Sequence, residues 1–254
     1  MPRRTVLAAP FLKRLTLLAE RVEAAAFPFD TLRFLKNGRF ELGFETPITF
    51  FVGENGSGKS TLLEAIARLC GFSAEGGSSD HRTGGRGYDE GVARLADALR
   101  PSWLPRVTQG FFFRSESFFN VAGYLDEVAD RDRLGGRAMH AQSHGEAFLA
   151  LFSHRLTGDR RALYLMDEPE TALSPSRQLA FLAVMRDWER SGNVQAIIAT
   201  HSPILLCYPG ARLVSFDGDG LAETTAEQTE HVRVTRAFLA NPARCLKELF
   251  DDDG

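Results

Sequence analysis

The hydrophobic pattern changes period several times along the chain. Residues 48–52, Ile-Thr-Phe-Phe-Val, form a short β-rich run that stops at Gly53. Comparable runs occur at 108–114, centred on Phe111-Phe112-Phe113, at 163–166 (Leu-Tyr-Leu-Met) and at 196–199 (Ala-Ile-Ile-Ala). Runs this short and this uniformly apolar suit strands buried on both faces. Elsewhere the period is helical. Leu62, Leu63, Ile66 and Leu69 share one face of a helix predicted over 61–69, and Gly71 follows as a stop. Helices are also predicted over 90–100, 118–128, 146–156, 176–189 and 231–250, with residues 101–105, from Pro101 to Pro105, breaking the first.

The first 45 residues read as short strands joined by turns, with alternation over 40–44 after Asn37-Gly38. Residues 212–216 and 221–225 flank Asp217-Gly218-Asp219-Gly220, a hairpin signal. Buried strands alternating with helices predict an α/β fold: a mostly parallel core sheet covered on both faces, with antiparallel pieces at the front and tail.

Composition narrows this only a little. The chain has 254 residues, 44% hydrophobic and 25% charged, enough for one large domain with a real core. A net charge of -3 provides no global basic field for DNA or an anionic membrane. Cys70, Cys207 and Cys245 form no Cys-x-x-Cys pair and sit among apolar neighbours, so they read as buried, reduced thiols rather than metal ligands. The apolar run near the start is too short for a secretory leader, and Lys13 and Arg14 interrupt the chain just after it. No stretch approaches the roughly 20 apolar residues that span a bilayer. A soluble, cytoplasmic protein is expected.

Residues 71–88 are rich in Gly and Ser and read as a surface loop, or as one that orders over a nucleotide or partner through His81, Arg82 and Arg86.

Candidate chemistry starts at residues 53–60. Gly53-Glu54-Asn55-Gly56-Ser57-Gly58-Lys59-Ser60 matches G-x-x-x-x-G-K-[ST] and lies between a strand and a helix, as phosphate binding requires. Gly56 and Gly58 let backbone N–H groups turn toward an anion, and the helix N-terminus adds partial positive charge. On this motif Lys59 reaches the β- and γ-phosphates of a nucleotide and Ser60 coordinates Mg²⁺, with Thr61 opening the helix. The apolar run at 163–166 ends in Asp167-Glu168, at the strand edge where open α/β sheets bind ligands. Asp167 is placed to hold Mg²⁺, and Glu168 to orient or deprotonate a water.

Asp167-Glu168-Pro169-Glu170-Thr171-Ala172-Leu173-Ser174 resembles the second nucleotide motif and D-loop of ATP-binding-cassette (ABC) ATPases. Thr200-His201-Ser202-Pro203, after the run at 196–199, resembles their switch-histidine loop. The resemblance implies that His201 hydrogen-bonds the γ-phosphate and helps to hold Glu168 and the water. It also makes Gln142-Ser143-His144-Gly145-Glu146 the counterpart of the family's Ser-Gly-Gly-Gln signature. Ser143 and Gly145 keep the family's positions, whereas His144 and Glu146 depart from them. Ser143 would then contact the γ-phosphate bound by a second protomer; the same residues also make a capping box. Glu116 is the nearer equivalent of the family's Q-loop residue and a metal-site candidate, since Gln109 lies at the wrong end of its strand.

The resemblance runs from about residue 30 to 225 and is strongest to stand-alone ATPases of the cassette type, which share Gln-Ser-His-Gly-Glu. It implies an ABC ATPase head over 1–254: a P-loop NTPase with a parallel core sheet, an antiparallel β edge, and a helical subdomain at about 89–158 bearing the signature. ATP and Mg²⁺ are the expected ligands, and an ATP-induced homodimer the expected assembly. Only residues 61–142 separate the first motif from the signature, too few for a long coiled-coil arm. Three readings stay open: a soluble homodimeric ATPase whose ATP-driven closure acts on an unknown protein or nucleic-acid partner, the nucleotide-binding subunit of a membrane transporter, and a non-turnover ATP switch or compact DNA-repair-type head.

Overall fold

A computed structural model of the protein describes residues 7–74, 76–77, 88–115 and 156–251. The helices expected at 118–128 and 146–156, the centre of the Gly/Ser-rich loop, Glu116 and the 142–146 motif lie outside the described residues, except for Leu156.

Strands β3 (Ile48–Val52), β5 (Gly110–Arg114), β6 (Ala162–Asp167), β7 (Val194–Ala199), β8 (Ala211–Ser215) and β9 (Ala222–Thr224) form a six-stranded sheet in the order β5-β6-β7-β3-β8-β9. Its pairs are parallel except the terminal hairpin β8–β9. Alternation explains the unbroken apolar runs. Phe50 and Val52 face one core with Tyr164, Met166, Ala196 and Ile198, whereas Phe51 faces the other with Leu163, Leu165, Ile197 and Ala199. Helix α3 (Pro175–Ser191) covers the first face through Phe181, Met185 and Trp188. Helix α1 (Lys59–Cys70) covers the second through Leu62, Leu63 and Ile66, stopping at Gly71 in the left-handed region.

A second, antiparallel sheet orders β2 (Glu41–Gly43), β1 (Leu12–Leu17) and β4 (Leu99–Trp103). Here the structure corrects the expected helix over 90–100 and its break at Pro101. Helix α2 (Glu90–Ala98) is shorter, and the chain passes directly into β4 with Pro101 opposite Leu15. Proline is tolerated because β4 is an edge strand, so its missing N–H costs no ladder bond. The front segment is also less strand-rich than expected, with single 3₁₀ turns at Ala19–Arg21 and Arg33–Leu35. Of the span expected as a helical subdomain, β4 and β5 belong to the two sheets.

The cysteines are free, but only Cys70 is buried; Cys207 is exposed and Cys245 half-buried. Cys207 follows the one-turn helix α4 (Pro203–Leu206), whose inward positions are taken by Leu205 and Leu206. Helices α5 (Glu230–Ala240) and α6 (Pro242–Asp251) replace the single helix expected at 231–250, interrupted at Asn241 before Pro242. No described helix is long and apolar enough to cross a membrane.

One buried side chain ties the two sheets. Gln195, on β7, accepts hydrogen bonds from the Phe11 and Leu12 N–H groups, both at 2.8 Å, and donates to the Leu12 carbonyl at 3.0 Å. A leucine there would leave these buried backbone groups unpaired. Gln195→Leu is expected to lower unfolding free energy by about 2–4 kcal/mol, measured by urea denaturation of the nucleotide-free protein.

Candidate nucleotide site

The registers of β3, β6 and β7 place three sequence motifs at one edge. Phe51 and Asp167 both pair with Ala199, so the loop after β3, the acids ending β6 and the turn after β7 emerge side by side. Backbone bonds continue past the strands: Glu168 N–H donates to Ala199 at 2.9 Å, and Thr200 N–H to Phe51 at 3.2 Å.

Residues 53–58 wrap the N-terminus of α1. Gly56 and Gly58 have φ of +77° and +98°, and a Cβ on Gly58 would lie 2.8 Å from Leu32 and 2.9 Å from Phe34. At Gly58 both conformation and close packing therefore require glycine. The Asp217 carboxylate accepts the Glu54 N–H at 2.7 Å, pinning the start of the loop to the end of β8. Lys59 is buried and donates to the Gly53 and Glu54 carbonyls at 2.6 and 2.8 Å, with Ser57 Oγ at 3.5 Å. Burial lowers its pKa, opposed by the surrounding carboxylates, Glu168 foremost.

Ser60 Oγ donates to Asp167 at 2.9 Å, joining the first turn of α1 to the end of β6. Glu168 is the only non-glycine with positive φ among the described residues, at +48°. That strained turn sets its carboxylate 3.6 Å from His201 Nε2. His201 N–H donates to Glu170 at 2.6 Å, and its Nδ1 lies 2.8 Å from His231 Nε2. His201 Nε2 is buried with no hydrogen-bond partner among the described residues. Burial, then the charges of Lys59 and His231, lower the His201 pKa to about 4, keeping the ring neutral near pH 7.

Two adjoining clefts flank the loop. One of about 550 Å³ touches Phe27, Asn55, Gly58, Ser60, Thr61 and Glu168; one of about 360 Å³ touches Arg33, Glu54, Ser57, Phe216 and Asp217. Thr31, Leu32, Asn55 and Gly56 line both.

Comparisons with known proteins bear on the family of the chain. A family model described as "AAA domain" matches residues 31–96, and one described as "AAA domain, putative AbiEii toxin, Type IV TA system" matches 108–206. The cytochrome c biogenesis ATP-binding export protein CcmA of Rhodopseudomonas palustris is 34% identical over 190 residues, covering 68% of this chain and 90% of that one. The chain belongs to the ABC-type P-loop ATPases. CcmA of Cupriavidus necator is 33% identical over 181 residues, covering 65% of this chain and 74% of that one. Among solved structures, an SMC head bound to the C-winged helix domain of ScpA overlays with a TM-score of 0.47 at 14% identity, covering 86% of this chain and 99% of that one.

In this ABC-type chain the structure brings together the loop residues 53–61, Asp167, Glu168 and His201. Gln109 lies at the opposite end of β5, where its backbone carbonyl accepts from Leu163 N–H. Ser143, Gly145 and Glu116 lie outside the described residues. The pair formed by Ser60 and Asp167 suits a hard cation: a hydroxyl and a carboxylate in mutual contact, oxygen donors both.

Sequence reasoning missed Glu170, Asp217 and His231 as site residues. Glu170 falls within the D-loop resemblance, but Asp217 read as a hairpin turn and His231 as the start of a helix. Arg114 was also missed: it bridges α1 through Glu64 at 3.2 Å and donates to the Ala74 carbonyl at 3.0 Å.

Burial raises the Asp167 pKa from 3.8 to about 6, offset in part by the Ser60 hydrogen bond and the Arg114 charge. The folded state then holds this proton more tightly than the unfolded state. Its stabilising contribution is present below about pH 4 and lost as pH rises through about 6. At pH 7.5 the ionised carboxylate weakens the nucleotide-free fold. Asp167→Asn is expected to stabilise that form by about 1–2 kcal/mol at pH 7.5, with the gain vanishing near pH 4 in thermal melts.

Proposed function

We propose that this protein binds ATP with Mg²⁺ and hydrolyses it to ADP and phosphate, with closure of a homodimer over the nucleotide. The observation carrying this reading is the convergence of Lys59, Ser60, Asp167, Glu168 and His201 at one sheet edge. The residues have complementary tasks. Backbone N–H groups of the loop and the N-terminus of α1 cradle the phosphates. Lys59 exchanges the loop carbonyls for phosphate oxygens, which relieves its buried positive charge. Ser60 and Asp167 would hold the cation, with Glu116 as a further candidate; when bound, it supplies charge neutralisation at the phosphates.

Glu168 orients a water toward the γ-phosphorus and takes its proton as the bond to the β–γ bridging oxygen breaks. His201 supplies a hydrogen bond to the γ-phosphate, and its neutrality avoids an ion pair that would tie up Glu168. Ser143 and Gly145 of a second protomer would close over the same phosphate. This reading places the protein in the cytoplasm, as a single cassette head over 1–254 whose helical subdomain at about 89–158 carries the signature.

The CcmA relatives, ATP-binding export proteins of cytochrome c biogenesis, favour a second reading: an ATP-binding subunit that engages an export system. Co-purification with a multi-span membrane protein would support it over a free homodimer.

Lys59→Ala is expected to weaken ATP binding at least about tenfold by calorimetry; an unchanged affinity would refute the phosphate-loop assignment. Glu168→Gln is expected to reduce kcat at least about 100-fold while preserving ATP binding, and to accumulate an ATP-dependent dimer visible by light scattering. A variant that stays monomeric with ATP would rule out the two-site arrangement.

A further inference from the structure

His231 has no part in the roles above, yet it makes a short side-chain contact with His201. It is the second residue of α5, whose first turn is capped by the Thr229 side chain accepting from Val232 N–H. Its Nε2 lies 2.8 Å from His201 Nδ1, with the ring planes inclined at 59°. A hydrogen bond between the two imidazoles needs one donor and one acceptor, so with His201 neutral two arrangements exist. If His201 Nδ1 donates, His201 Nε2 carries a bare lone pair. That lone pair would face the Glu168 carboxylate at 3.6 Å, with no donor on either atom. If His231 Nε2 donates, His201 carries its single proton on Nε2, and an N–H faces the carboxylate and the phosphate side of the site. Electrostatics favours the second arrangement, and the unpartnered, buried Nε2 of His201 is then a donor held in reserve.

We propose that His231 is a positioning residue: its Nε2–H donates to His201 Nδ1 and locks His201 in the tautomer whose Nε2–H points into the nucleotide site. The partner of one ring nitrogen decides which tautomer the other presents. Glu170 acts on the same residue from the backbone side, holding the His201 N–H at 2.6 Å, so backbone and ring are both anchored. The consequence for turnover rests on the hydrolysis reading above, but the tautomer itself does not.

The test pairs two variants with a spectroscopic measurement. Long-range ¹H–¹⁵N spectra of histidine-labelled, nucleotide-free protein, with His201 assigned by its loss in His201→Ala, are expected to show Nδ1 unprotonated and Nε2 protonated. His231→Leu keeps bulk and removes the donor; His231→Gln restores an N–H at about the same reach. The leucine variant is expected to lose the single-tautomer signature and at least about tenfold in kcat, with ATP affinity and melting temperature near wild type. The glutamine variant is expected to recover both the tautomer and most of kcat. A protonated Nδ1 in the wild-type protein, or a leucine variant with wild-type kcat, would overturn the proposal. If the wild-type protein shows no turnover, the hydrolysis reading fails and the spectra alone decide the tautomer.

Discussion

Everything at the site depends on the parallel register of β3 with β7 and of β7 with β6. Ala199 is the common partner: it faces Phe51 on one side and Asp167 on the other. A slip of one residue in either pair would invert the side chains of a strand buried on both faces, exchanging Phe50 for Phe51 or Met166 for Leu165 between the two cores. The packing that fixes the register is therefore the same packing that brings Gly53, Glu168 and His201 out at one edge. Gln195 extends this constraint to the antiparallel sheet by pairing the backbone of Phe11 and Leu12 from within β7.

Bringing these groups to a half-buried edge has an electrostatic cost. Burial raises the pKa values of Asp167 and Glu170 and lowers those of Lys59 and His201. Each charged form is thus disfavoured in the nucleotide-free protein, and partial remedies surround them. Lys59 rests on loop carbonyls, Asp167 accepts from Ser60, and Glu170 accepts from the His201 backbone. The left-handed backbone of Glu168 adds strain of about 1–3 kcal/mol at the same place. Such clustering of perturbed titrating groups and strain is characteristic of sites arranged for ligand chemistry rather than for stability.

Much of this was legible along the chain because it is written locally. The glycines of 53–58 announce backbone conformations, and the doubly buried strands announce themselves as apolar runs. The acids at 167–168 follow such a run directly. Where local signals compete with tertiary position, the reading slipped. Pro101 reads as a break, but an edge location in the antiparallel sheet makes its missing N–H harmless. Cys207 reads as buried among leucines, but those leucines occupy the inward positions of a single helical turn.

The sequence by itself determined a glycine-rich loop at 53–58, an acidic pair at 167–168 and an α/β sheet to carry them, since each is set by backbone conformation or by neighbours a few residues away; His201 was singled out by family resemblance. The tertiary structure decided what those residues touch. Asp217 reaches Glu54 across 163 positions, Glu170 holds His201 across 31, and His231 meets His201 across 30. No periodicity or spacing encodes such contacts, because they arise only when strand register and the docking of α5 place distant segments within hydrogen-bond distance.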